Sequence, residues 1–257
     1  MDNRLKAATD GALKKLITAL ESGQSDTLKA YLKSMGHFHN YSWSNTLLIY
    51  WQKPNATHVA GFKAWLKLNR HVKKGEHGIL IVVPMFLKSR NPAKQDETVL
   101  GFTSGHVFDI SQTDGEPLPS ISSVKGDPKC HVLSLRDHIM ALGIELIYSD
   151  LKDAHGLSAG GRITIHHKLE PAEEFATLCH ELAHELMHKS ERRKDLTKTQ
   201  RELEAEAVAF VCCSAIGLET NNASSDYIQL YQGSADLLMA SLSFIQQASS
   251  QILEAIV

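Results

Sequence analysis

The chain has 257 residues, 43% of them hydrophobic and 22% charged, which places it among folded globular proteins and excludes disordered, collagen-like and disulfide-stapled classes. That length is comfortable for two domains. Its four cysteines (Cys130, Cys179, Cys212, Cys213) show no CxxC spacing, so reduced thiols are expected. No apolar run reaches the length of a membrane span, and the mixed-charge start (Asp2, Arg4, Lys6, Asp10) has no signal-peptide core, which predicts a cytoplasmic protein with no membrane partner.

The net charge of −2 conceals an asymmetry. Residues 1–119 carry 15 Lys+Arg against 10 Asp+Glu, net +5, whereas residues 120–257 carry 12 against 19, net −7. Between Lys53 and Lys94 there are nine basic residues and one acid, Glu76. A polyanionic partner for the first half follows from this balance.

In chain order, apolar residues at helical spacing predict a helix over 4–22, and Ser25-Asp26 supply a cap for a second. A third helix is expected over 42–52, ended by Lys53-Pro54, and a short fourth over 61–68. The β-branched run 79–83, closed by Pro84, and the segments 99–102 and 106–110 read as strands. Residues 112–129 (QTDGEPLPSISSVKGDPK) have the composition of a linker. Beyond it come a helix over 134–142, a strand over 144–148, a glycine-bearing loop (Gly156, Gly160, Gly161), a strand over 162–166, and helices from Pro171 to the end. The fold class is therefore α+β in two domains: a first domain over 1–118, a linker over 119–130 and a second domain over 131–257.

The helix after Pro171 carries His180-Glu-Leu-Ala-His184. Phe175, Leu178, Cys179, Leu182, Ala183, Leu186 and Met187 form its apolar stripe, so His180 and His184 stack one turn apart on the other side, where two imidazoles can grip one ion. Glu181 lies between them, angled toward a water on that ion, the place of a general base. With 14 His in the chain, HExxH arises by chance in roughly one such sequence in twenty, so the helical context decides for a metal site.

Zn2+ needs a third protein ligand and keeps a fourth position open. His188 is about 12 Å from His180 along the helix, too far to share the ion, and is expected as a supporting, cleft-lining or exposed residue. A metzincin pattern fails because Met187 and Ser190 stand where Gly and His are required. An acid from the next helix (200–216) remains, and periodicity leaves Glu204 and Glu206 equally placed, with Glu202 on the same run. The strand over 162–166 could hold an extended peptide by edge pairing, while Tyr148, His155 and His167 are candidate transition-state stabilisers.

All three tryptophans fall within 23 residues, Trp43, Trp51 and Trp65, interleaved with Phe38, Tyr41, Tyr50 and Phe62 and followed by Lys63, Lys67, Arg70, Lys73 and Lys74. Aromatic platforms along a cationic groove suit single-stranded nucleic acid.

The order of residues carries a resemblance. Tyr41-Ser-Trp-Ser-Asn45-Thr-Leu-Leu-Ile49, Gln52-Lys-Pro54, Thr57-His-Val-Ala-Gly61-Phe-Lys-Ala-Trp65, Val72-Lys-Lys-Gly75-Glu-His-Gly78-Ile, Val107-Phe108-Asp-Ile beside Gln112, the HELAH helix and Ser225-Asp-Tyr227-Ile together resemble the ArdC-type antirestriction proteins, over nearly the whole chain. The resemblance implies a domain that binds single-stranded DNA joined to a gluzincin peptidase domain related to IrrE-like and SprT-like peptidases, in proteins that shield incoming plasmid DNA during conjugation. Tyr41, Trp43, Asn45, Gln52, Lys53, Lys63, Trp65, Arg70, Lys73 and Lys74 are then the expected DNA contacts. Glu206-Ala-Val-Ala-Phe210 is similar to the ExxxF segment by which such gluzincins supply a third ligand, so Glu206 is the expected ligand beside His180 and His184, with Glu202 and Glu204 solvated or supporting. One departure is Glu185-Leu-Met-His188, where the family often has Trp-Thr-Gly-His. The expected activity is that of a zinc metalloendopeptidase with an unknown protein substrate. The rival expectations are a DNA-coating module whose zinc is structural, and a regulatory peptidase cutting a repressor.

Overall fold

The structure, a computed structural model, describes residues 3–87, 98–118, 128–152, 154–218, 230–231 and 233–256. The chain forms two compact units, residues 1–18 with 44–121 and residues 19–43 with 122–257, the first combining helices with antiparallel sheet and the second helices with a mixed sheet. The second unit thus draws in a helix from the first fifty residues.

In the first unit, α1 (Asn3–Glu21), whose last turn belongs to the second, buries Leu5, Ala12 and Leu16 at the spacing of one helical face. α3 (Trp43–Gln52) buries the run Asn45 to Ile49. A three-stranded antiparallel sheet has the order β1 (Val59–Gly61), β4 (Thr98–Asp109), β3 (Ile79–Leu87). The expected stop at Pro84 does not occur: β3 runs on to Leu87, with Pro84 opposite Phe102. Because β3 lies at a sheet edge, a residue without an N–H is tolerated there. The two strands expected over 99–102 and 106–110 are one strand, β4.

The outer edge of β3 is closed by side chains of α3. Asn45 donates to the Val82 carbonyl and accepts from its N–H, both at 2.8 Å, and Gln52 does the same for Leu80 at 3.0 and 2.9 Å. The two amides stand seven residues apart, two helical turns, and meet alternate residues of the strand, so each acts as one rung of a missing neighbour. This also answers the hazard of an unpaired edge.

Two further strands, β2 (Arg70–Val72) and β5 (Thr113–Gly115), pair antiparallel, with α4 (Phe62–Lys67) preceding β2. The expected linker therefore begins later than Gln112. Gln112 is buried, accepting from Asp109 N at 2.9 Å and donating to Glu76 and the His77 carbonyl, which ties the start of that stretch into the unit. Residues 119–127 lie outside the described residues.

In the second unit, α2 (Ser25–His37) packs on α8 (Lys198–Ala215) at Gly36, where a Cβ would lie 2.9 Å from the Val211 carbonyl oxygen. α5 (Pro128–Ala141) leads into a three-stranded sheet of order β6 (Glu145–Ser149), β8 (Arg162–His166), β7 (Gly156–Ser158). β6 and β8 are parallel, β7 and β8 antiparallel. The strand expected to receive a peptide, β8, is therefore central and has no free edge. The edges belong to β6 and to β7, the latter lying where a glycine-bearing loop was expected, since three residues with two small side chains give no periodic signal. Helices α6 (Pro171–Met187), α7 (Ser190–Asp195), α8 and α9 (Ala235–Ile256) complete the unit. Pro171 opens α6 at its first position, and Thr197 with Gln200 forms a reciprocal cap on α8.

Candidate metal centre

The apolar stripe of α6 is buried as expected, with Phe175, Leu178, Cys179, Leu182 and Ala183 fully enclosed, and this leaves His180 and His184 on the other side, where His180 lines a cleft. Their Nε2 atoms lie 3.1 Å apart. Glu202 of α8 places Oε2 3.5 Å from His180 Nε2 and 3.6 Å from His184 Nε2. A tetrahedral site with metal–ligand bonds near 2.0–2.1 Å has edges of about 3.3–3.4 Å, so these three atoms already stand almost as one face of such a tetrahedron. The donor set, two imidazoles and a carboxylate, is one that a divalent ion of the zinc kind takes up.

Glu206, the expected third ligand, stands apart from this cluster of three donor atoms. Glu206 Oε2 lies 3.4 Å from His180 Nδ1, the nitrogen on the far side of the ring from the cluster. It orients His180, while Glu202 meets both Nε2 atoms. The reason lies in α8. Glu202 and Glu206 are one turn apart and share the cleft face, whereas Glu204, turned about 200° from Glu202, is fully buried. The signal that could have found Glu202 is its i, i+4 relation to Glu206 on one acidic face.

Glu204 accepts from His188 Nε2 at 2.9 Å, Arg192 at 2.6 Å and Ser241 at 2.6 Å. Burial alone would raise its carboxyl, but these donors outweigh it and hold it ionised below the usual range. His188 is buried too, with Nδ1 2.8 Å from His184 Nδ1. It meets His184 and not the Nε2 cluster, the first of the three placements expected for it: supporting, cleft-lining or exposed.

Burial likewise pulls His184 down and would pull His180 down, but hydrogen bonding and charge from Glu206, with the charges of Glu181 and Glu202, lift His180. Two imidazoles 3.1 Å apart hold at most one proton between them. Glu181 is buried on the cleft wall, and its carboxyl is raised by burial and by the neighbouring Glu202 and Glu185 charges, against the lowering effect of His180 and the Ser158 N–H. Gly156 makes room for it: a Cβ there would lie 2.7 Å from Glu181 Cγ, Glu181 Oε1 and Thr177 Cγ2. Glu185, at the family departure, clamps the β7–β8 turn by accepting from Ser158 Oγ at 2.6 Å and from the Gly160 and Gly161 N–H groups at 2.9 and 2.8 Å.

The cleft has a volume of about 670 Å3 and is lined by His180, Glu181, Glu202, Glu206, His155 and Gly156 among others. Of the candidate stabilisers, only His155 lines it. Tyr148 instead donates to Glu174 Oε1 at 2.5 Å beneath Arg136, and His167 Nδ1 lies 3.2 Å from the Ser149 carbonyl. A second gathering of donors, Asp150, His166 and His167, is a poorer fit to a metal. The Leu151 N–H points at His166 Nδ1 from 3.2 Å and occupies its lone pair.

The expected DNA contacts separate into two groups. Trp65 is 2% exposed and donates from Nε1 to the Phe108 carbonyl at 2.8 Å, so it is core. Arg70 is buried and spends its guanidinium on Thr113 and on the Gly115 and Glu116 carbonyls. Asn45 and Gln52 close the β3 edge. These four are committed to the fold, each through side-chain hydrogen bonds to main-chain carbonyls of the unit. Lys63, Lys73 and Lys74 are exposed and Lys53 half-exposed, with Lys73 also 3.6 Å from Asp114. Tyr41 and Trp43 are half-buried and lie in the second unit. The exposed aromatics of the first unit are Phe62, Phe86 and Phe102. No described helix is long and apolar enough to cross a membrane. The closing motif 225–228 lies outside the described residues.

Residues 6–114 match the family described as the N-terminal domain of anti-restriction factor ArdC, and residues 138–220 match the IrrE N-terminal-like domain. An uncharacterized protein of Bacillus anthracis is 26% identical over 243 residues, 76% of this chain and 41% of that protein, so the chain spans less than half the length of this curated relative. Two solved structures share the fold across 97–100% of the chain and 98% of theirs. They are the antirestriction ArdC protein from plasmid R388 in a metal-free form (17% identity, TM-score 0.58) and in a Mn(II)-bound form (20%, 0.57). The chain thus carries a match to the ArdC N-terminal domain followed by a match to an IrrE-like peptidase domain, on a fold shared with the antirestriction ArdC protein.

Proposed function

We propose that this chain is a single-stranded-DNA-binding, metal-dependent peptidase that protects incoming plasmid DNA. The observation that carries the proposal is the convergence of His180, His184 and Glu202 at the wall of an open cleft that His180, Glu181 and Glu202 line. Three protein donors facing open space are the pattern of catalytic rather than closed structural sites. The ion there, zinc by donor chemistry or manganese as in the R388 relative, would acidify a water and polarise a carbonyl.

The chain's own residues supply the rest. Glu206 and His188 orient the two imidazoles from behind. The Ser158 N–H holds Glu181, whose raised carboxyl is suited to take a proton from a cleft water and return it to a leaving amine. In the β7–β8 register Leu157 pairs inward with Thr164, so the backbone of Gly156 faces outward along the cleft, where an extended peptide can add as a strand. On the DNA side, exposed lysines on a half with net charge +5 suit phosphates, and Phe62, Phe86 and Phe102 offer stacking faces.

Metal analysis of the purified chain, with gel shifts on single- and double-stranded DNA across a salt series, tests the two halves separately. Glu181→Gln tests the peptidase step: restriction protection that survives this change in cells would reduce the metal site to a structural element.

A further inference from the structure

His184 Nδ1 lies 2.8 Å from His188 Nδ1, and His188 Nε2 lies 2.9 Å from Glu204 Oε2. The His188 and Glu204 side chains are both 0% exposed. The other oxygen of Glu204 receives Arg192 and Ser241, and Arg192 is itself fixed by the Met187 carbonyl at 3.2 Å and by the face of Phe244, 3.8 Å away. Four helices, α6, α7, α8 and α9, thus contribute to a chain of contacts that ends on a residue of the candidate metal centre.

The polarity of this chain can be worked out from its far end. A carboxylate surrounded by donors only accepts, so His188 Nε2 carries a hydrogen. Arg192 already meets the charge of Glu204, and a neutral His188 with its one hydrogen on Nε2 has a bare Nδ1. The hydrogen between the two Nδ1 atoms therefore belongs to His184, and His188 presents a lone pair to it. His184 is left with a bare Nε2, pointing at His180 Nε2 and Glu202 Oε2. Free imidazoles favour the opposite tautomer, with hydrogen on Nε2, which would block the lone pair a metal needs.

We infer that Glu204 and His188 form a positioning relay that locks His184 in its Nδ1–H tautomer, so that the metal-facing nitrogen is ready before any ion arrives. Glu204→Gln should reverse the relay. A single amide oxygen is drawn to Arg192 and Ser241, the amide NH2 then faces His188 Nε2, and His188 must place its hydrogen on Nδ1, forcing His184 to Nε2–H. The inference rests on reading His180, His184 and Glu202 as a metal centre, but the tautomer itself is a property of the metal-free chain.

The test uses the full chain, 15N-labelled and stripped of metal, with long-range 1H–15N spectra to read the histidine tautomers, and zinc titrated against a chromophoric chelator. Wild-type His184 should give the Nδ1–H pattern. Glu204→Gln and His188→Phe should weaken zinc binding about 10- to 100-fold, with cooperative melting retained. An Nε2–H pattern for wild-type His184, or zinc affinity within about twofold of wild type in a folded Glu204→Gln chain, overturns the relay. Should the variants not fold, the wild-type spectrum alone decides. A wild-type chain that takes up no zinc defeats the metal-centre reading instead, and the tautomer pattern still rules on the relay.

Discussion

Exchanging each acid of the α8 cleft face for its amide separates ligand from support. Glu202→Gln replaces a charged oxygen that stands 3.5 and 3.6 Å from the two Nε2 atoms by a neutral amide. Structural zinc sites bind with about 10–16 kcal/mol spread over four ligands. One ligand is then worth roughly 3 kcal/mol, or about 100-fold in Kd. Glu206→Gln keeps an oxygen able to accept from His180 Nδ1, so its loss is that of a weakened supporting hydrogen bond, about tenfold at most. Zinc competition against a chelator of known affinity, on chains whose circular dichroism matches wild type, measures both. The geometric assignment is wrong if Glu206→Gln weakens binding as much as Glu202→Gln, or more.

Other changes probe the surroundings. Gly156→Ala drives a methyl group against Glu181 and Thr177 and should abolish any peptidase activity while costing about 1–3 kcal/mol in chemical denaturation, the usual range for overpacking; wild-type activity would show that Glu181 is not held by this contact. Asn45→Ala leaves both backbone groups of Val82 without their partner and should cost about 1–3 kcal/mol while leaving DNA affinity of the folded chain unchanged. Lys63→Ala with Lys74→Ala, both exposed, should instead lower the slope of log K against log salt by about 2, with melting unaltered. Asp109 accepts N–H groups of Thr57, His58 and Ser111. Burial would raise its carboxyl, yet these bonds outweigh burial and hold it below the ordinary value. Its stabilisation is therefore complete above the unfolded value near pH 4 and disappears as pH falls through the lower folded value. The stability gap between wild type and Asp109→Asn should be constant at neutral pH and close on acidification; a gap that widens there refutes the assignment.

The sequence by itself determined what depends on neighbours along the chain. Three residues between two histidines place both on one helical face, Pro171 starts that helix, and the apolar stripe chooses which side turns to the cleft. Tertiary structure set the three acids of α8 apart, because Glu202, Glu204 and Glu206 are distinguished only by how α8 docks: its buried face, with Ala205, Val208 and Cys212, takes Glu204 into the interior and leaves the other two on the cleft. It also decided the fate of Asn45, Gln52, Trp65 and Arg70, whose partners lie 28 to 46 residues away along the chain. Polar and aromatic residues look alike in a sequence whether they face a ligand or complete a sheet, since the difference is the location of an unsatisfied backbone group that only the folded chain creates.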